Sequence, residues 1–123
     1  MDVSALNVDG EWLEIETENE DFGKLRVRVV PRQYGGLIRM AINEDMIQYL
    51  SELVVDWDIS SNGEKVECSH ANKMKYLSVL AGWRIKNPKY QREDIKMKSV
   101  GAEIIAFAQD IKNFTKNLQP TLN

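Results

Sequence analysis

Cysteine and histidine are almost missing from this chain, which holds one of each in 123 residues. A lone cysteine excludes an intrachain disulfide and suits a reducing compartment. One Cys68 and one His70 are at most half of a structural zinc set, and no spaced Cys/His pair completes it. No apolar run approaches the roughly 20 residues that span a bilayer. The first residues are acidic and lack the basic flank and long apolar stretch of a signal peptide. The expectation is a cytoplasmic protein with no membrane contact. Gly35-Gly36 lacks the following Gly-Lys-Ser/Thr of a phosphate loop, and no nucleophile elbow or dinucleotide fingerprint occurs. No internal repeat or low-complexity segment is visible. These absences leave no cofactor, no metal and no named reaction, and the chain reads as a non-enzyme.

What remains is an ordinary globular composition, 43% hydrophobic and 28% charged. Such a chain has enough apolar content to fold. Its length predicts a single domain over residues 1–123, burying roughly two thirds of its unfolded surface. Net charge is −3, but unevenly spread. Residues 1–22 carry eight acids and no base, and the sums over 1–22, 23–83 and 84–123 are −8, +1 and +4. An acidic edge and a basic edge that support each other explain this, and a bipolar surface steering a charged partner is the alternative. The bases are too sparse, in an acidic protein, for nucleic-acid binding.

Residues 1–10 show no period and are expected to be loosely ordered. Leu13 and Ile15 alternate with Glu14 and Glu16; Leu25, Val27 and Val29 alternate with Arg26 and Arg28. Two antiparallel strands joined through Gly23 would place glutamates beside arginines on a wet face. Pro31 closes the second strand. Leu37, Ile38, Met40 and Ile42 fit a short strand or part of a helix. Asn43 is a candidate N-cap, with Glu44 and Asp45 at the positive end of the dipole. Met46, Ile47, Leu50, Leu53 and Val54 then recur at helical spacing.

The best specified stretch is Val54 to Ser69. Val55, Trp57 and Ile59 alternate with Asp56 and Asp58, and Asn62-Gly63 is the strongest short-range hairpin signal. Lys65 to Cys68 returns as the second strand. Ser69 is a candidate N-cap for a helix whose stripe runs through Met74, Tyr76, Leu77, Leu80, Ala81 and Trp83, with Asn87-Pro88 as the stop. Lys89 to Ser99 is polar and basic. Ser99 can cap a last helix through Val100, Ile104, Phe107, Ala108, Ile111, Phe114 and Leu118, ended by Pro120. The fold class is therefore α+β. An N-terminal antiparallel hairpin or small sheet leads to a central helix and a second hairpin, making 11–68 the β-rich part. Residues 69–119 form the helical part.

Two constellations carry residues capable of chemistry. Cys68 and His70 are close in sequence at a strand-to-helix junction, where neighbours tend to point apart. Cys68 reads better as a small buried hydrophobe and His70 as an exposed first-turn residue. Asp56 and Asp58 share a strand face but lack a convergent third ligand or an EF-hand loop, and read as a solvated face.

The order of these pieces resembles the small tail assembly chaperones of long-tailed phages and prophages. Glu11-Trp12-Leu13 opens a strand, Gly23-Lys24-Leu25-Arg26-Val27-Arg28 is its partner, and an acid-capped helix follows. Val55-Asp56-Trp57-Asp58-Ile59, a turn with Asn62-Gly63-Glu64, and Val66-Glu67-Cys68-Ser69 then match the group's Trp-Asp hairpin. The resemblance spans about residues 11–85; the last helix and the basic 84–98 stretch fall outside the pattern. It implies a chaperone that keeps the helical tape-measure protein soluble, recruits tail tube subunits and is absent from the finished particle. It implies host bacterial cytoplasm and leaves homo-oligomerisation open. The alternative from another class is a structural head–tail or tail component retained in the particle. Binding a helix needs an exposed apolar face. The candidates are Met74, Tyr76, Leu80 and Trp83 on one helix, and Ile104, Ile105, Phe107, Ile111, Phe114 and Leu118 on the last. The same stripes would equally serve as core.

Overall fold

A computed structural model describes residues 1–32, 44–94, 96 and 98–116. The readings made for Leu37, Ile38, Met40, Ile42, Asn43, Leu118 and Pro120 lie outside these residues.

The first two strands, β1 (Glu11–Glu16) and β2 (Lys24–Val29), form the expected antiparallel pair. Glu14 stands opposite Arg26 and Glu16 opposite Lys24, while Leu13, Ile15, Leu25, Val27 and Val29 are buried. Alternation at period two is enough to send one face to the core. On the wet face the Arg26 guanidinium lies 5.0 Å over the exposed Trp12 ring rather than on a carboxylate. Such stacking is worth about 0.5–1 kcal/mol at an exposed site.

Helix α1 (Glu44–Leu53) ends where β3 (Val54–Trp57) begins. β3 does not pair chiefly within its own hairpin. It joins β2 antiparallel, giving a three-stranded sheet in the order β1-β2-β3. The partners are Val27↔Trp57, Arg28↔Asp56 and Val29↔Val54, so Val55 is an extra residue with no opposite number. This bulge corrects the expected alternation. Val54 and Trp57 are buried, and Val55 is turned outward. The second hairpin is correspondingly short, with β4 (Ser60–Ser61) against β5 (Glu64–Lys65). Val66 N–H extends the pairing to the Ile59 carbonyl at 2.8 Å. Asn62 and Gly63 at its tip both have positive φ, 53° and 81°, the pair of angles that a type I′ turn requires.

Helix α2 (His70–Leu80) starts at Ser69, whose hydroxyl accepts the Asn72 N–H at 3.2 Å. It stops earlier than its stripe and the Asn87-Pro88 step suggested. After Ala81 and Gly82 the chain turns extended: Val100 N–H reaches the Trp83 carbonyl, Arg84 bridges Ser99, and Ile85 bridges Thr17. Tertiary pairing to the end of β1 offers these backbone groups partners that further helix would forgo. Helix α3 (Val100–Gln109) is capped by the Ser99 hydroxyl on Ala102 N–H. The expected continuous last helix breaks at Asp110, which is extended and caps a separate 3-10 turn (Ile111–Phe114) through Lys112 N–H.

The core lies between the inner sheet face and the helices: Leu50, Leu53, Val54, Trp57, Leu77, Val100, Ile104 and Phe114 are among its buried members. Gly101 permits the close approach of α3 to the end of α2. A Cβ there would fall 2.5 Å from Met46 Cε and 3.2 Å from the Ala81 carbonyl. Among the described residues, no helix is long and apolar enough to cross a membrane.

Candidate binding cleft

Helix α2 carries a fully buried stripe and a half-buried one that packs on the edge of the core. Leu77 and Ala81, four residues apart, are buried. Tyr76, Val79 and Leu80 follow the i, i+3, i+4 spacing on a different side, and Trp83 joins them from the extended chain just beyond the helix. They form one wall of a cleft of 480 Å³. The rest of the lining comes from the end of the sheet: Thr17, Phe22 and Gly23 from the β1–β2 connection, Lys24 and Leu25 at the start of β2, and Asp58, Ile59 and Ser60 after β3. Cavities of about 300–1,000 Å³ are the size range of ligand sites.

Each wall is held by local chemistry. Thr17, buried, donates its hydroxyl within the β1–β2 turn to the Asn19 and Gly23 carbonyls. That turn lifts Phe22, 67% exposed, onto Trp83, with ring centroids 5.0 Å apart and planes tilted by 53°. Tyr76 meets Trp57 edge-on at 6.2 Å, and the Trp57 indole N–H donates to the Val66 carbonyl at 2.8 Å. The hairpin, the sheet and α2 are thereby tied at one point. Asp58 is fixed on β2: its N–H donates to the Arg26 carbonyl at 3.0 Å, and its Oδ1 accepts the Arg26 N–H at 2.9 Å. Exposed ion pairs join the acidic turn to the chain after α2. Arg84 stands 3.5 Å from Glu18, and Lys86 is 3.8 Å from Glu16 and 3.6 Å from Glu20. Here the acidic and basic ends meet as the charge pattern suggested, though such exposed pairs add little stability.

The residues selected for partner binding divide sharply. Tyr76, Leu80 and Trp83 line the cleft, half-buried. Met74 is half-buried on α2 without lining it. On the last helical stretch Ile104, Phe107 and Phe114 are core, with Phe107 and Phe114 packed edge to face at 5.2 Å. Ile104 and Phe107 present no free surface because α3 spends its apolar face against α1 and the sheet, and Phe114, on the 3-10 turn, is buried against Phe107. Ile105 is half-buried against the core and Ile111 is exposed beyond the Asp110 break. Phe22 and Val79, the most exposed apolar side chains of the cleft, fall outside the stripes read from the sequence. Val79 lies three residues after Tyr76 on α2 and was legible by helical spacing; Phe22 sits alone in an acidic turn and carried no periodic signal.

The two chemical constellations come apart. Asp56 pairs with Lys65 at 2.9 Å, and that ammonium, with the Trp57 N–H, holds its carboxyl below the usual range. Asp58 is occupied with Arg26 instead. Burial pushes the Cys68 thiol up, so little of it is thiolate near neutral pH. His70 is exposed on the first residue of α2. Among the described residues, no group of three or more His, Cys, Asp or Glu side chains is placed to hold a metal ion. No protein-family model matches the chain, and neither a curated protein nor a solved structure matches it.

Proposed function

We propose that this chain is a binding protein for another polypeptide: a tail assembly chaperone of a long-tailed phage or prophage. It holds the tape-measure protein soluble in the host cytoplasm and helps recruit tail tube subunits, without a reacting group of its own. The observation that carries this reading is the open cleft walled by Phe22, Tyr76, Val79, Leu80 and Trp83. Large apolar side chains left at a concave surface, rimmed by polar ones, mark an interaction site. Grooves of this kind take the apolar face of an amphipathic helix, the form of surface a tape-measure protein presents under the resemblance. The order of strands and turn over residues 11–85 supplies the link to phage tails.

Co-expression with the tape-measure protein tests the reading. The soluble fraction of the tape-measure protein should rise several-fold with the wild-type chain. Trp83→Ser together with Phe22→Ser should abolish the gain while the chain itself stays folded by circular dichroism. No gain with the wild-type chain would refute the chaperone. Mass spectrometry of purified particles should lack this chain; its presence at stoichiometric level would make it a structural tail component.

A further inference from the structure

Strand β1 lies at the outside of the three-stranded sheet, with β2 on one side only. The hydrogen bonds show which of its backbone groups face out. Thr17 N–H turns inward to the Gly23 carbonyl. Glu18 N–H donates outward to the Arg84 carbonyl at 2.9 Å, and the Glu16 carbonyl accepts Lys86 N–H at 2.8 Å. Successive residues of a strand direct these groups to opposite sides, so Trp12 and Glu14 point theirs outward with Glu16. The far side of the pair agrees. Arg26, which stands opposite Glu14, donates its N–H to the Asp58 carboxylate and accepts Asp58 N–H, away from β1. Among the described residues nothing bonds to the outward backbone groups of Trp12 and Glu14. Further along, the chain itself shows what this edge takes. Arg84-Ile85-Lys86 runs antiparallel beside it, two bases alternating with an apolar residue. Ile85 is buried, while Arg84 and Lys86 reach Glu16, Glu18 and Glu20. Asn87 then takes a φ of 50° and the chain leaves for the loop bonded to Glu103. The edge continues without it to Glu14, which is exposed and makes no ion pair with a described residue.

The geometry points to a second docking surface, separate from the cleft and independent of the reading above. The open edge of β1 takes an extended segment of another polypeptide, antiparallel, in which Lys or Arg alternates with apolar residues. Its backbone bonds to the outward N–H and C=O groups of Trp12 and Glu14, the usual mode of strand addition to a free sheet edge. Its bases fall beside Glu14, as Lys86 falls beside Glu16. Its apolar residues turn to the opposite face, as Ile85 does. A second copy of this chain is a poor occupant. Its own β1 would bring Glu11, Glu14 and Glu16 to an edge that already carries them, and like charges on neighbouring strands are destabilising.

The test titrates the full chain with a synthetic peptide of about eight residues in which Val and Lys alternate. Amide hydrogen exchange is followed residue by residue. At saturation the Trp12 and Glu14 amides should exchange at least about tenfold more slowly. The same peptide with Glu in place of Lys should bind at least about fivefold more weakly. Glu14→Gln should narrow that difference, with an unchanged unfolding midpoint confirming the fold. N-methylation of one alternate set of peptide amides should abolish binding, and of the other set should spare it, because only one side of an added strand meets the edge. Trp83→Ser with Phe22→Ser should leave this binding intact; its loss would place the peptide in the cleft and overturn the inference. So would unprotected Trp12 and Glu14 amides, equal binding of the Lys and Glu peptides, or equal effects of the two methylated sets. A dimer of the chain alone in sedimentation, with the same two amides protected, would give the edge to a second copy and overturn it as well. Solubility of the tape-measure protein bears on the cleft alone, so either reading can fail while the other stands.

Discussion

Glu103 shows how much one side chain can organise. It lies on α3 at 3% exposure, and its carboxylate accepts Lys89 N–H at 2.8 Å, Tyr90 N–H at 3.3 Å and Gln91 Nε2 at 3.1 Å. The loop that follows Pro88 is thereby pulled onto α3, where Tyr90 packs edge-on to Phe107 at 4.9 Å. A buried carboxylate is tolerable only when its lone pairs are taken up, and here three donors converge on it. Glu103→Ala removes the acceptors and leaves the loop N–H groups facing a void. It should cost about 2–3 kcal/mol, read as a lower urea midpoint at unchanged m-value. A loss under about 0.5 kcal/mol would mean that water replaces the carboxylate freely. Cys68 is the counterexample at this scale. Its half-buried thiol packs on the core and takes part in no cluster that needs it ionised.

Among the elements, the short hairpin β4–β5 is the least buried, with Ser60, Ser61, Glu64 and Lys65 all exposed. It keeps its place through its turn and two tethers: Trp57 Nε1–H on the Val66 carbonyl, and Lys65 on Asp56. The second tether is pH-dependent. The Lys65 ammonium first, and the Trp57 N–H second, lower the Asp56 carboxyl below its ordinary value of 3.8. The contact therefore adds stability above that value and loses it as pH falls through the native one. Solvent screens the pair, so the contribution stays within about 1 kcal/mol. Acid unfolding of the wild type and Asp56→Asn should show it: the two stabilities differ at neutral pH and converge below pH 3.8. Curves that stay parallel throughout would show that the ion pair contributes nothing. Helix α2 makes a different point. Its mixed apolar surface grades from the core to the cleft: Leu77 is fully buried, Tyr76 and Leu80 pack on the core while lining the cleft, and Val79 is exposed at it.

Across the whole molecule, one buried cluster draws side chains from β1, β2, β3, all three helices and the 3-10 turn. Trp57, at the end of β3 and 1% exposed, joins the sheet to α2 through its edge contact with Tyr76. A core shared in this way should melt as a unit. Urea unfolding followed by Trp fluorescence and by far-UV circular dichroism should give coincident transitions. Separate midpoints would divide the β-rich and helical parts into independent units. The cleft lies where those parts meet, at the sheet end and on the outer stripe of α2, so its walls are joined by the same core that carries stability.

The α+β class, the β1–β2 pairing, the Asn62–Gly63 turn and the Ser69 and Ser99 caps were all legible in the residues. Each depends on neighbours a few positions apart, through side-chain period, backbone φ or a local hydrogen bond. The resemblance to tail assembly chaperones was likewise a matter of residue order, and it remains the basis of a proposal. What tertiary structure decided was partnership. β3 left its own hairpin for β2 and threw out a bulge at Val55; the last helix broke at Asp110; α2 stopped at Leu80 so that Trp83 to Ile85 could pair with α3's cap and β1. Ile104, Phe107 and Phe114 went inside while Phe22 and Val79 stayed out. A period says that one face will be buried. Which face, and against what, depends on surfaces brought together from distant parts of the chain, and no local pattern encodes that meeting.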